Sequence, residues 1–281
     1  MLAALWTDWI AAIPPQAGIL LGIALLVSAL GFFRVVWFVS LGYAGSVSAI
    51  ALALGWLFWD ALTPWSALHG LLLVIYGVRL GSYLVRRELL PAYAPAREDA
   101  KQRGAGVKLA VKPMIWASVA LLYVLMTAPL LLVLADAQAA APSGLIVTQL
   151  LGLAIAATGL GLEALADHQK SSYKATNPKR WCDVGLYRWV RCPNYLGEMT
   201  FWVGSWVAGL SAYHHWLHWL ATGVGLICIE LIMMGSTKRL ESGQKERYGH
   251  HDDFVRYTRT VPVLFPFVPV YSLENVKVYL E

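Results

Sequence analysis

The feature that most constrains this chain is a succession of apolar runs, each close to the length a bilayer requires. A transmembrane helix needs ~20 predominantly apolar residues. Runs of this kind lie at about Gln16–Phe33, Val35–Trp59, Trp65–Val85, Met114–Ala135, Leu145–Ala166, Tyr195–Leu210 and Trp216–Gly235. In a chain of 281 residues they leave no room for a large soluble domain. Only 14% of the residues are charged and 58% are hydrophobic, whereas a soluble domain carries roughly a quarter charged residues. The chain therefore reads as an all-α integral membrane protein of about seven transmembrane helices, in a single membrane domain over residues 1–281. No basic stretch precedes the first run and a second follows at once, so a retained helix is expected and not a signal peptide. The sixth run opens with Pro193 and Asn194 and is the shortest, which suits a tilted or partial helix.

Basic residues set the orientation. Arg86–Lys112 holds seven Lys/Arg, Asp167–Pro193 six and Lys238–Glu281 seven, with Arg34 and Arg79 besides. If the first helix starts outside, Arg34 and all three basic segments fall on the cytoplasmic side. Asp8, Asp60 and Asp136 then fall in the opposite connections. The expectation is an N-terminus outside and a cytoplasmic C-terminus. The net charge of +5 is spread between apolar runs, which fits membrane orientation and not nucleic-acid binding. Three cysteines, Cys182, Cys192 and Cys228, are too few for a disulfide framework and suit a reducing compartment. No internal repeat is evident, unlike the inverted repeats of many transporters.

Three constellations could carry chemistry. On the fifth run Glu163, Asp167, Lys170 and Lys174 fall on one face of a straight helix, with Gly152, Ala156 and Gly159 deeper on the same face. The small residues suit close packing of a neighbour, and the polar end suits a binding wall; a merely solvated helix end is the plain alternative. In the segment Gly185–Glu198, Arg188 and Arg191 stand just before a proline-initiated helix, whose unpaired N–H groups favour an anion such as phosphate. Asn194 and Glu198 follow one turn apart on that helix, where an ionisable residue is a functional candidate; simple anchoring of the arginines at headgroups is the alternative. On the third run His69, Tyr76, Arg79 and Tyr83 form a polar stripe beside Gly70, Gly77 and Gly81. A buried tyrosine hydroxyl there could donate to a substrate carbonyl, with Arg79 meeting a phosphate, or the stripe could serve interhelical hydrogen bonding alone. His214, His215 and His218 have helical metal-ligand spacing, but they sit among interfacial aromatics, and no metal is expected.

The block Gly159–Glu198, together with Leu240-Glu241, Arg247-Tyr248-Gly249 and Arg256-Tyr257-Thr-Arg-Thr-Val-Pro262, resembles the steroid 5-alpha-reductase superfamily. Within it the chain looks like the bacterial branch known as the DUF1295 family, and Tyr76-Gly-Val-Arg79 extends the resemblance into the N-terminal half. The resemblance implies a seven-helix enzyme, in a bacterial inner membrane, that binds NADPH from the cytoplasm and reduces a conjugated carbon–carbon double bond of a steroid-like or other lipid. Residues 113–281 would hold the cofactor and 1–112 the substrate. Asp167 and Asn194 resemble cofactor-contacting residues of the reductases, and Glu198 the glutamate that holds the nicotinamide amide. Arg180 and Lys238 look like the basic residues near the phosphates and adenosine, and Lys174 stands where the reductases have an arginine. Tyr76 resembles the tyrosine that polarises the substrate ketone, and Arg79 the arginine three residues on. Two positions depart: no carboxylate lies between Ala11 and Trp59, where the steroid enzymes carry a glutamate, and Glu163 replaces their asparagine.

Two other functions compete with this one. Isoprenylcysteine and phospholipid methyltransferases share an Arg-x-Pro-x-Tyr-x-Gly element, but the paired glutamates they place after the last span are reduced to Glu241. That contrast favours NADPH over S-adenosylmethionine. A non-catalytic lipid-binding membrane protein is the third possibility.

Overall fold

The computed structural model describes residues 12–90, 94–138 and 146–276. Asp8 and Leu145, used above for orientation and for the start of the fifth run, lie outside the described residues. The fold is all-helical, with 80% helix and no strand among the described residues. The α-helices are α1 (Gln16–Ser28), α2 (Leu41–Leu57), α3 (Pro64–Leu89), α4 (Ala94–Ala105), α5 (Lys112–Gln138), α6 (Ile146–Thr176), α7 (Pro193–Ala208), α8 (Trp216–Tyr248) and α9 (Asp252–Thr260).

Five helical segments are long and apolar enough to cross a membrane: Val35–Leu57, Pro64–Leu89, Leu109–Gln138, Ile146–Thr176 and Trp216–Tyr248. The protein is a multi-pass, all-helical membrane protein by these segments. The other two runs give shorter helices. The 13 residues of α1 and the 16 of α7 rise ~20 Å and ~24 Å at 1.5 Å per residue, less than the ~30 Å hydrocarbon core. After α1 the chain passes into 3-10 turns at Ala29–Phe32 and Val35–Phe38, separated by Phe33 and Arg34; the Arg34 guanidinium pairs with Glu88 at 2.9 Å.

The chain forms two compact units, one of Met1–Leu153 with Ser205–Leu226, the other of Ala154–Gly204 with Ile227–Glu281. In the first unit α1, α2, α3 and α5 pack on one another around the buried side chains of Phe38, Ile50, Leu54, Leu73, Leu130 and Leu134. The start of α3 is written locally. Pro64 stands in the first turn, where its missing N–H costs nothing, and Thr63 caps the helix in a reciprocal box with Ser66. Arg86 and Arg87 in its last turn complement the negative end of the helix dipole. In the middle of α3, Gly77 lets α2 approach closely: a Cβ built there would stand 2.4 Å from the Ala44 carbonyl oxygen and 2.2 Å from Ser48 Oγ. No side chain fits in that space.

A test of this packing compares two glycines in the same unit. Gly77→Ala must push α2 and α3 apart and should destabilise the protein by ~1–3 kcal/mol, the usual cost of overpacking. Gly22→Ala, on α1 with nothing within 4 Å of the added carbon, should leave the unfolding temperature in detergent unchanged or slightly raised. Equal Tm values for the Gly77 variant and the parent would refute the close contact.

Candidate functional site

In the second unit, α6 and α7 cross at glycines. A Cβ on Gly159 would lie 2.4 Å from the Phe201 amide nitrogen and 2.6 Å from the Gly197 carbonyl oxygen. One on Gly197 would lie 2.6 Å from the Glu163 nitrogen and 2.8 Å from the Glu163 Cβ. Backbone meets backbone at this point, and small residues are what such a crossing needs. Its consequence is chemical. Glu163, whose backbone nitrogen and Cβ border that contact, and Glu198, the residue after Gly197, are both buried, at 3% and 6% exposure. One turn before Glu198, Asn194 has a buried Oδ1 that accepts no hydrogen bond from any described residue. A buried amide oxygen without a donor costs free energy unless a ligand or water supplies one.

From the crossing α6 continues as one helix to Thr176, so Asp167, Lys170 and Lys174 follow Glu163 on a continuous backbone, each half-buried. Lys174 Nζ donates to the Tyr248 hydroxyl at 2.8 Å and to the Pro178 carbonyl at 3.3 Å. The segment between α6 and α7 is docked firmly. Gly185, with φ of 59°, turns the chain so that the Leu186 amide donates to Gln169 Oε1 at 2.8 Å. The Tyr257 hydroxyl, from α9, donates to the Tyr187 carbonyl at 2.7 Å and to that of Cys182 at 3.3 Å. Trp181, Tyr248 and Phe254 close an aromatic cluster behind it. Arg180, more than half exposed, pairs with Asp183 at 3.2 Å and lies over the Trp181 ring. Burial pushes the Cys192 thiol up to about 11 and also raises Cys182, while the nearby positive charge of Lys170 opposes both shifts.

Arg191 and Arg188 have different surroundings. The Arg191 side chain is 2% exposed and pairs with Glu241 at 3.0 Å; it also donates to the Tyr271 carbonyl. Glu241 in turn accepts from the Leu273 amide at 2.9 Å, and Lys238 Nζ donates to the Val276 carbonyl at 3.1 Å. These bonds fasten the segment after α9 to the start of α7 and to α8. Arg188 is exposed and lines a recess with Trp189 and Phe267.

In the first unit the polar stripe of α3 is buried at His69, 1% exposed, and at Tyr76, fully buried, and half-buried at Arg79 and Tyr83. His69 Nε2 lies 2.8 Å from Ser205 Oγ, and the Tyr76 hydroxyl lies 2.7 Å from that of Tyr43 on α2. Tyr43 stacks on Tyr123, ring centroids 5.4 Å apart, and the Tyr123 hydroxyl donates to the Phe38 carbonyl at 2.6 Å. Sequence reasoning missed Tyr43. A tyrosine in an apolar helix has no distinctive pattern, and its pairing spans 33 positions. The three histidines near α8 go to separate partners: His214 to Asp136 at 3.0 Å, His218 to the Ala12 carbonyl at 2.8 Å, and His215 Nδ1 to the Leu217 amide at 3.2 Å. Among the described residues no group of His, Cys, Asp or Glu could hold a metal ion.

A family model described as "Protein of unknown function (DUF1295)" matches residues 32–261. No curated protein and no solved structure matches the chain. The match covers both the tyrosine pair of the first unit and the glycine crossing of the second, and the chain belongs to the DUF1295 family.

Proposed function

We propose that the protein is an NADPH-dependent membrane reductase that adds hydride to a conjugated carbon–carbon double bond of an enone-type lipid. The DUF1295 family is steroid 5-alpha-reductase-like, which supports that class of chemistry. The observation that carries the reading is the acceptor set at the α6–α7 crossing: buried Glu163 and Glu198, with the undonated Oδ1 of Asn194 one turn away. A nicotinamide carboxamide is a neutral donor of two N–H bonds and suits those acceptors. Asp167, Lys170, Lys174, Arg180 and Lys238 provide polar and cationic side chains for the ribose and phosphates, in this unit and on the cytoplasmic side. S-adenosylmethionine has no phosphate to engage the lysines. Arg191 acts by holding the tail in place through Glu241.

When bound, NADPH supplies the hydride. The chain's own contribution at the substrate is electrostatic. Adding hydride to the β carbon of an enone drives negative charge onto the carbonyl oxygen, and a buried phenol at Tyr76 donates to that oxygen as the charge grows. Tyr43, 2.7 Å away, holds the Tyr76 hydroxyl in place, and Arg79 lies on the same helix three residues on. In a site free of water such a donor contributes a few kcal/mol to the transition state. The α carbon then takes a proton from solvent or a nearby acid.

The topology proposed with this chemistry has seven spans, counting α1 and α7, with the N-terminus outside and the C-terminus in the cytoplasm. Reporter fusions after Gln138 should report the outer side and fusions after Ala105 the cytoplasm; the reverse pattern would overturn the orientation and the entry of cofactor from the cytoplasm.

Substitutions test the chemistry. Tyr76→Phe should leave NADPH affinity nearly intact and slow reduction of a long-chain enone by ~10- to 1000-fold, the range of a single oxyanion donor or acid group. Lys174→Gln should weaken NADPH more than NADH if the lysine meets the 2′-phosphate. Reduction by Tyr76→Phe at the parent rate would make Tyr76 a packing residue, and loss of NADPH affinity would move it to the cofactor.

A further inference from the structure

The segment after α9 forms a small hairpin with a rigid base and an apolar tip. At its base the Arg191 and Cys192 amides donate to the Pro262 and Val263 carbonyls at 2.9 and 3.0 Å, and the Val263 amide donates to the Val270 carbonyl at 2.9 Å. The buried Arg191–Glu241 pair grips the next residues through the Tyr271 carbonyl and Leu273 amide. The tip is the opposite of buried. Phe267 is 87% exposed, and Phe265 and Val268 are 40% and 43% exposed, beside Trp189 at 62%.

Phe267 also has φ of 67°, the one non-glycine residue in the left-handed region among those described. A bulky residue there is strained, and such strain persists only where the surroundings impose it. Pro266 precedes it and Pro269 follows two positions on, and the Trp189 ring meets the Phe267 ring edge to face at 6.2 Å. Between them opens a recess of about 300 Å³ whose cationic wall is Arg188. No carboxylate occurs from Phe254 to Ser272 or from Val184 to Gly197. The tip is thus apolar and aromatic, its surroundings are cationic, and its base is bonded to the residue that precedes the apolar helix α7.

We infer that this hairpin, with Trp189 and Arg188, is an interfacial anchor: its aromatic tip lies among the lipid headgroups where α7 enters the bilayer, and Arg188 meets an anionic headgroup phosphate. The chain is a multi-pass membrane protein, and the proposed topology counts the apolar helix α7 among its spans, so a bilayer lies within reach of an apolar surface at its start. Trp and Phe with flanking arginine are the side chains that favour that layer, and anionic lipid complements a patch with no carboxylate. The inference rests on that topology and not on the reductase chemistry.

The full-length protein tests it in lipid nanodiscs. A bimane on Phe267→Cys is compared with one on Asp252→Cys, at the exposed start of α9, after subtraction of labelling in the parent protein. In discs of phosphatidylglycerol and phosphatidylcholine, lipid carrying a nitroxide high on its acyl chain should quench the position-267 probe severalfold more than the position-252 probe. Aqueous iodide should show the reverse order. Adding Arg188→Gln should reduce the lipid quenching at 267 in the anionic discs and not in discs of phosphatidylcholine alone. Iodide quenching at 267 equal to that at 252 would overturn the anchor. Shielding from iodide that appears only on adding NADPH, or only at high protein concentration in detergent, would assign the recess to a dinucleotide or to a second copy and overturn it as well. An Arg188→Gln variant indistinguishable from its parent in both disc types would remove the headgroup phosphate.

Discussion

The backbone contact between Gly159 and Gly197 is the constraint on which the second unit depends. Two helices approach there until a Cβ on either glycine would collide with the backbone of the other helix, and no other residue type allows it. Lipid gives helices little hydrophobic reason to associate, so the attraction comes from dispersion at close range and from polar groups withdrawn from hydrocarbon. Glu163 and Glu198 are such groups. Burying a carboxylate is expensive, so two buried ones on helices that cross this closely make the crossing the candidate site of this unit.

The first unit uses the same device for a different end. Gly77 admits α2 to α3, and that approach lets Tyr43 reach Tyr76 at 2.7 Å. A phenol buried with a hydrogen-bond partner is held in one rotamer, whereas a lone phenol in an apolar helix would cost the desolvation of its hydroxyl. The stacking of Tyr43 on Tyr123 and the bond from Tyr123 to the Phe38 carbonyl extend the order back to the 3-10 turn before α2.

Hydropathy made the long segments legible, because five apolar runs coincide with helices of sufficient length. It reads the membrane and not the helix, however. The fifth run ends at Ala166 in hydropathy, yet α6 continues to Thr176, because a polar face does not break a helix. The polar helices α4 and α9 carry no membrane signal at all. Glu163, Asp167, Lys170 and Lys174 were legible as one face because their spacing is local. Arg191 was not legible as half of a buried pair: its partner Glu241 stands 50 positions away, and the arginine next to a helix start reads equally well as an anion ligand. Tyr43 was hidden for the same reason of distance. What the local pattern conveys is which side chains are unusual for their surroundings, and what the fold adds is which of them meet.

Equilibrium titration of the purified parent protein with dinucleotides, followed by its intrinsic tryptophan fluorescence, tests the central claim most directly. NADPH is expected to bind saturably with a single site per chain, more tightly than NADH, and to be lost in Glu198→Ala, while S-adenosylmethionine leaves the signal unchanged. Saturable binding of S-adenosylmethionine without NADPH, or NADPH binding indifferent to Glu198, would contradict the assignment of the α6–α7 crossing as a nicotinamide site.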